Sequence, residues 1–301
     1  MRFSWTRCCV YMTWILAAVG SLSSVALADV LRVGVKPITS QRLLAEMTQQ
    51  YLAPHGYEVI PSWGLPTSMA RPALANSELD MVWEYTGTSL VNYHHVYEQL
   101  DEESTFRRVS QLDGELGLTW LSPACNDTYA IAMPEKIAEQ EGDIRTLSQL
   151  ADYLRRTPDT SHLIAMDIEF GNRPDGMPGL MKRYNISIPR RDLRSMDAGA
   201  VYLALQGQQA LAGEVYNTDG RIQAFNLRVL EDDKHFFPAY SVAPMVRTAY
   251  VRQHPDLVTL MKDLTDLLNE HAMREINARV DVDGQSVSNV AHDFLTQHHL
   301  L

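Results

Sequence analysis

Short apolar runs alternate with amphipathic stretches along most of the chain. Runs at 31–35, 57–60 and 79–83 predict buried strands, and segments from Thr39 or Ser40 to near Gly56 and from Thr67 or Ser68 to 75 have helical spacing. Strands that alternate with helices of about 10–15 residues predict βαβ units and a mainly parallel sheet. The fold class is therefore α/β.

The pattern starts again after a polar helix near 105–116. The second block holds predicted strands at 129–133, 163–167 and 211–216 and predicted helices at 147–155, 179–184 and 198–206. After 227–230 the chain is predicted to be helical, with amphipathic stretches at 256–270 and 286–297. A second α/β block inserted in the first predicts two lobes: 29–123 with 229–301 form lobe 1, and 124–228 form lobe 2, with crossings near 122–126 and 228–232.

Residues 1–28 have the pattern of a secretory signal peptide. Arg2 and Arg7 precede a mostly apolar run at 10–25, and Ala26-Leu27-Ala28 supplies small residues for cleavage. The alternative is a membrane anchor, but the run is short and contains Ser, Thr and Gly, whereas a spanning helix needs about 20 mostly apolar residues. The sequence thus predicts export to the periplasm as a free protein.

The charge is strongly acidic. The chain has 37 acidic against 26 basic residues, and the predicted signal takes two arginines with it. This argues against nucleic acid as a partner, because that binding depends on cations that neutralise phosphates. Cys8 and Cys9 also leave with the signal, so Cys125 has no partner for an intramolecular disulfide. A monomer is the default expectation.

Candidate ligand residues follow three predicted strands. Lys36 comes after the first strand, Tyr85 to Thr88 come after the third, and Tyr216 to Gly220 end a strand of the second block. In open α/β sheets, ligands bind beyond the carboxyl ends of the strands. Two facing lobes would therefore line a cleft with these residues.

Signals for catalysis or metal binding are weak. The sequence has no Gly-x-Ser-x-Gly, Gly-x-Gly-x-x-Gly, phosphate-loop or His-Glu-x-x-His motif. His94, His95 and Glu98 could meet on a helix and suggest a metal, but a solvated helix face is the favoured explanation. No enzyme activity, metal or cofactor is predicted. A secreted enzyme acting on a small cationic substrate is the alternative from another class.

Several ordered segments together resemble the substrate-binding proteins of glycine betaine/choline/carnitine ABC importers. They are Gly34-Val35-Lys36, Gly64-Leu65-Pro66-Thr67-Ser68, Glu84-Tyr85-Thr86-Gly87-Thr88, Asn126-Asp127-Thr128-Tyr129-Ala130, Arg173-Pro174-Asp175-Gly176-Met177-Pro178-Gly179-Leu180, Thr218-Asp219-Gly220-Arg221-Ile222, Asp232-Asp233-Lys234 and Phe236-Phe237-Pro238-Ala239-Tyr240. The resemblance covers about 31–270. It implies a two-lobed periplasmic binding protein fold of type II, with the ligand cleft between lobes that close by a hinge motion.

The resemblance also implies a set of ligand residues. An aromatic box for the quaternary ammonium would consist of Tyr85, Tyr129, Tyr216 and Tyr240, and Lys36, Thr88 and Arg173 would hold a carboxylate. A quaternary ammonium has no N–H to donate, whereas aromatic faces attract it by about 0.5–2 kcal/mol each. A carboxylate prefers charge-assisted donors, above all Arg.

Alternatives stay open at single positions. Lys36 could be a solvated lysine, Arg173 could pair with Asp175, and Thr88 could cap a helix. Trp83, where many relatives have another residue, could add a ring to the pocket or pack beneath it.

The function implied is capture of glycine betaine, or a related betaine, for an ABC permease with its ATPase. The two cations favour a ligand with a carboxylate over choline. Choline, carnitine, proline betaine or ectoine as ligand, and a sensory rather than an importing role, are the alternatives.

Overall fold

The structure is a computed structural model of the chain, and it describes residues 29–98, 100–158 and 162–301. The predicted signal peptide at 1–28 lies outside the described residues. Among the described residues, no helix combines the length and the apolar character that a membrane crossing requires.

Most strands begin and end close to their predicted positions. The strands of the described residues are β1 Asp29–Val35, β2 Tyr57–Trp63, β3 Met81–Tyr85, β4 Leu118–Trp120, β5 Tyr129–Pro134, β6 Ile164–Asp167, β7 Leu193–Met196, β8 Ala212–Tyr216, β9 Leu227–Val229 and β10 Val242–Arg247.

The helices lie between and after the strands. Those of the described residues are α1 Thr39–Leu52, α2 Thr67–Ala75, α3 Thr86–Thr88, α4 Glu102–Gly114, α5 Glu135–Gln140, α6 Leu147–Arg156, α7 Met177–Tyr184, α8 Ala198–Gln206, α9 Arg221–Ala224, α10 Thr248–Gln253, α11 Asp256–Thr265, α12 Glu270–Asp281 and α13 Val287–Gln297. Short 3₁₀ turns occupy Ala53–His55 and Arg190–Asp192, and a π-helical turn at Ser89–Tyr93 follows α3.

The strands form two five-stranded sheets, one in each lobe. The first sheet has the order β2-β1-β3-β10-β4 and the second has the order β7-β6-β8-β5-β9. We use "first lobe" and "second lobe" for these sheets with the helices packed on them. The two-lobed α/β architecture predicted from the sequence is thus confirmed.

The prediction of a mainly parallel sheet was wrong. Strands β1, β2 and β3 are parallel, as are β6, β7 and β8, but β10 runs antiparallel to β3 and β4, and β5 runs antiparallel to β8 and β9. The antiparallel strands β5 and β10 are those that enter a lobe directly from the other lobe. Each sheet is therefore mixed.

The prediction that the chain is helical after 230 was also wrong, because β10 lies in this part of the chain. Pro244 interrupts the apolar run of β10, and proline in such a run argues against an interior strand. The strand nevertheless lies between β3 and β4, with Pro244 opposite Trp83. These partners are distant in sequence, so local periodicity does not reveal the pairing.

Both faces of each sheet are buried. In β3, Met81, Trp83 and Tyr85 belong to the apolar cluster that includes α1, while Val82 belongs to a separate cluster with residues of α2 and α4. A strand covered on both sides is apolar at nearly every position. Trp83 is 1% exposed and donates from Nε1 to Thr48 Oγ1 at 3.1 Å, so it packs beneath the sheet.

Two chain segments cross between the lobes side by side. Ala124 N donates to Val242 O at 2.8 Å, Val242 N donates to Cys125 O at 2.9 Å, and Asn126 forms a bridge with Ser241. The crossing segments join β4 to β5 and β9 to β10. The residue limits 29–123, 124–228 and 229–301 stay a proposal for where the lobes divide.

Candidate functional site

One cavity of about 570 Å³ is lined by residues of both lobes. It falls within the size range of small-molecule sites, about 300–1,000 Å³. Every side chain that the sequence singled out lies on its wall: Lys36, Tyr85, Thr88, Tyr129, Arg173, Tyr216 and Tyr240. The structure therefore brings together seven residues that are spread over 205 positions of the chain.

Each of the four predicted tyrosines lies at or near the end of a strand. Tyr85 is the last residue of β3 and Tyr216 is the last of β8, whereas Tyr129 is the first of β5. The antiparallel register of β5 and β8 sets Tyr129 directly opposite Tyr216. Tyr240 lies two residues before β10. The cavity therefore lies at the sheet edges that face the other lobe.

Tyr129 is the centre of the aromatic group. Its ring centroid is 5.3 Å from that of Tyr216 and 5.2 Å from that of Tyr240, the latter at an interplanar angle of 83°. Phe170 and Phe237 support the same ring at 5.0 and 6.5 Å. These spacings are typical of aromatic pairs. Three tyrosine rings from two lobes thus meet at different angles around one wall.

Two glycines permit close approaches near these rings. A Cβ at position 87 would lie 2.7 Å from the carbonyl oxygen of Ala239, next to Tyr240. A Cβ at position 176 would lie 2.0 Å from the carbonyl oxygen of Phe170. At both positions a side chain would clash with a neighbouring backbone oxygen. This explains why the Glu-Tyr-Thr-Gly and Arg-Pro-Asp-Gly segments have glycine there.

Arg173 is buried and held by its neighbours. Its Nε and Nη2 donate to Asp175 at 2.9 and 2.7 Å, and Nη2 also donates to Thr88 Oγ1 of the first lobe at 3.1 Å. Tyr240 donates from its hydroxyl to Asp175 at 2.5 Å. The guanidinium carbon lies 5.3 Å from the ring centre of Tyr129. The pairing with Asp175 that the sequence left open is thus present, and it fixes the guanidinium at the cavity wall.

Lys36 also has an internal partner. Its ammonium forms an ion pair with Glu84 and lies 4.9 Å from the ring centre of Tyr85. Glu84 is fully buried, and it also accepts from the backbone N–H of Tyr85 at 2.8 Å. Lys36 is therefore not a solvated lysine at a strand end.

Four carboxylates of the cavity were not predicted from the sequence. Asp127, Asp167, Glu169 and Asp197 all line it. Asp127 stands two residues before Tyr129 in the Asn-Asp-Thr-Tyr segment, so the resemblance offered a signal for it. Asp167 accepts from the hydroxyl of Tyr216 at 2.8 Å. The wall of the cavity thus combines aromatic rings with more negative than positive side chains.

Burial raises the pKa of two carboxyl groups that line the cavity, Asp127 and Asp167, and of Glu214, which lies behind the wall and accepts from the backbone N–H of Asp167. It raises the pKa of Asp127 to about 6, against a hydrogen bond from Thr218 that lowers the pKa. Burial also raises the pKa of Asp167, and it raises that of Glu214 well above its ordinary value. A cation that enters the cavity would favour the ionised forms.

Such a site can hold a small cation or zwitterion. Aromatic faces suit a positive group without N–H donors, and Arg173 with Thr88 suits a carboxylate. Within the described residues, no group of three His, Cys, Asp or Glu side chains has the arrangement of a metal site.

Comparison with known proteins identifies the family. Residues 29–297 match the family model described as the substrate binding domain of the ABC-type glycine betaine transport system. The chain is 46% identical to the glycine-betaine-binding protein of Pseudomonas aeruginosa, over 95% of this chain and 94% of that protein. It is 30% identical to an ergothioneine transport permease and binding protein of Helicobacter pylori, over 87% of this chain but 46% of that protein.

A solved structure agrees with this result. A crystal structure described as a glycine betaine/carnitine/choline ABC transporter superposes with a TM-score of 0.71 at 26% identity, over 90% of this chain and 99% of that one. The family consists of substrate-binding transport proteins rather than enzymes. This chain therefore belongs to the family of substrate-binding domains of ABC-type glycine betaine transport systems.

Proposed function

We propose that the protein captures glycine betaine, or a related quaternary-ammonium osmoprotectant, in this cavity and delivers it to an ABC permease. The observation that carries the proposal is the meeting of the Tyr129, Tyr216 and Tyr240 rings beside Arg173 and Thr88. The trimethylammonium group would lie against the rings, and the carboxylate would lie at the cationic end.

The predicted ligand residues keep these roles in the proposal. Tyr85, Tyr129, Tyr216 and Tyr240 form the aromatic box, and Lys36, Thr88 and Arg173 form the carboxylate clamp. The contacts of Arg173 support the clamp. Its Nε and Nη2 bind Asp175 and Thr88, while Nη1 lies 4.0 Å from Glu169 and would donate to a ligand oxygen.

The charge of the cavity favours a cation at the box. Lys36 and Arg173 are each paired with an acid. Besides Glu169, which lies 4.0 Å from Arg173 Nη1, three further carboxylates line the wall, those of Asp127, Asp167 and Asp197. Choline, which lacks a carboxylate, is therefore the alternative ligand with most support. Carnitine, ectoine and proline betaine are further alternatives. Because one relative is named for carnitine and another for ergothioneine, both compounds should be tested as ligands.

The biological setting follows from the class of protein. We propose secretion to the periplasm through cleavage of 1–28, and a monomer that docks on a permease driven by an ATPase. A sensory protein that presents its closed form to a receptor is the second candidate, which would bind the same ligands.

Titration calorimetry on residues 29–301 tests the ligand class. We expect saturable one-to-one binding of glycine betaine, because it satisfies both the box and the clamp. Choline, carnitine, proline betaine, ectoine and ergothioneine at matched concentrations form the comparison panel. Binding of choline alone would keep the box and remove the clamp. No binding of any compound by folded protein would overturn the proposal.

We also expect glycine betaine to bind more tightly as the pH rises from 5 to 7.5. The pKa of Asp127 is raised to about 6, so the group gains its charge in this range, and the ionised form attracts the ligand cation. Each unit by which the ligand lowers this pKa corresponds to a limit of about tenfold in affinity. Calorimetry at several pH values measures the slope.

The control for this pH dependence is Asp127→Asn. It should bind more weakly at pH 7.5 and lose most of the slope, since its side chain does not titrate. Asp167, whose pKa burial also raises, accounts for a residual slope. An unchanged slope in Asp127→Asn would show that Asp127 does not face the cation.

A further inference from the structure

Helix α2 of the first lobe begins without a capping side chain of its own. Its N-cap residue is Pro66, which provides no side-chain acceptor, and its first turn has no acidic residue. The first N–H groups of a helix have no partner within the helix, and Ser, Thr, Asp or Asn usually supplies one at the N-cap. The start of α2 therefore needs an acceptor from elsewhere.

A carboxylate of the second lobe supplies this acceptor. The backbone N–H of Thr67, the first residue of α2, donates to Glu169 Oε1 at 3.0 Å. Thr67 and Glu169 both line the wall of the cavity. The positive end of the helix dipole also favours a negative group at this position. The contact thus joins the two lobes at the rim of the ligand cavity.

We propose that Glu169 is a positioning residue that raises ligand affinity by holding the lobes together through this hydrogen bond, without contacting the ligand. The inference rests on the proposed function, in which the lobes close on a ligand. A bond between lobes forms only when they are close, so it favours the closed state. Glu169 Oε2 also lies 4.0 Å from Nη1 of Arg173, a residue of the proposed clamp, so Glu169→Ala removes this longer ion pair as well, whereas a change at Thr67 removes only the hydrogen bond between the lobes.

This mechanism predicts that variants without the hydrogen bond lose the same factor of affinity for every ligand. Removal of an N-cap acceptor corresponds to an affinity loss of about twofold to thirtyfold. Since the bond does not touch the ligand, glycine betaine and weaker ligands of the panel should lose the same factor. The loss should appear mostly as faster dissociation, because the bond exists only in the closed complex.

Thr67→Pro removes the donor with little disturbance. Proline is favoured at the first position of a helix, where its missing N–H is tolerated. Pro66 already has φ −66° and ψ 159°, the extended conformation that a residue before proline adopts. Thr67→Ala is the matched control, since it loses the same side chain but keeps the backbone N–H.

The experiment is a double-mutant cycle with Glu169→Ala and Thr67→Pro, measured by calorimetry and stopped-flow dissociation with two ligands. We expect Thr67→Pro to lose this factor relative to Thr67→Ala, which sets the baseline for loss of the side chain, and Glu169→Ala to lose at least the same factor relative to the wild type. The double variant should lose no more than Glu169→Ala. Unfolding curves without ligand should coincide for all variants.

Asp197→Asn serves as the control for charge, because Asp197 is an acid on the second-lobe wall of the same cavity. An equal loss in Asp197→Asn would assign the effect to charge and overturn the inference. Additive losses in the cycle, or factors that differ between ligands, would also overturn it. A wild-type protein that binds no ligand would instead refute the proposed function, which separates the two failures.

Discussion

Replacement of Tyr129 by leucine is expected to weaken glycine betaine binding on the order of 100-fold. The ring of Tyr129 packs against Tyr216, Tyr240 and Arg173. Its loss removes one cation–π contact, worth up to about 2 kcal/mol in a desolvated site, and the aromatic contacts that orient its neighbours. Calorimetry on the folded variant measures the change.

Tyr129→Phe is the matched control. It keeps the ring, and among the described residues the Tyr129 hydroxyl forms no hydrogen bond, so we expect binding within about threefold of the wild type. Leucine fills much of the same volume, so the pair compares an aromatic with an aliphatic wall. Equal affinities of the leucine and phenylalanine variants would show that the ligand cation does not use this face.

Local pattern was enough to predict the elements that carry the tyrosines. Strand β5 and helix α8 begin where the sequence placed them, and β3 and β8 end at or near the predicted tyrosines. In these elements the same limits are indicated by the apolar periodicity, by the ends of the strands and by the nearby turn residues. The two-lobed arrangement follows from the same pattern, because the α/β alternation starts a second time.

The pairings between distant segments could not be predicted in this way. Strand β10 depends on partners from the other end of the first lobe, and its Pro244 hides the strand pattern. Likewise, the sequence could not show that Glu84 would pair with Lys36, because the two residues are 48 positions apart and meet only through the pairing of β1 with β3. Contacts set by tertiary structure therefore account for most of the misses.

Two buried carboxylates determine the charge of the cavity next to its cations. Asp175 and Glu84 neutralise the two cations that would otherwise repel a quaternary ammonium, and they hold both cations in place. A buried charge without a partner is strongly unfavourable, so these pairs allow cations in a largely apolar cavity. In the proposed function, a zwitterion would meet a fixed donor at one end of the cavity and a net negative, aromatic surface at the other.

Replacement of Arg173 by methionine is expected to weaken glycine betaine binding by about 10- to 150-fold and to destabilise the protein by about 3–5 kcal/mol. The loss of stability follows because Asp175, which is 5% exposed, would remain buried without its cation. The loss of binding follows because a hydrogen bond to a charged group contributes about 1.5–3 kcal/mol, and the clamp would lose its central donor. Denaturant unfolding and calorimetry measure the two effects separately.

The double variant Arg173→Met/Asp175→Asn separates the structural role of Arg173 from its role in binding. The asparagine introduced at position 175 would be neutral and could still accept from Tyr240, so the double variant should recover most of the lost stability. It should not recover glycine betaine binding, because the ligand carboxylate still lacks its donor. Choline has no carboxylate, so any affinity of the wild type for choline should largely survive. Recovery of glycine betaine binding together with stability would mean that Arg173 only neutralises Asp175, and the carboxylate would then depend on Lys36 and Thr88.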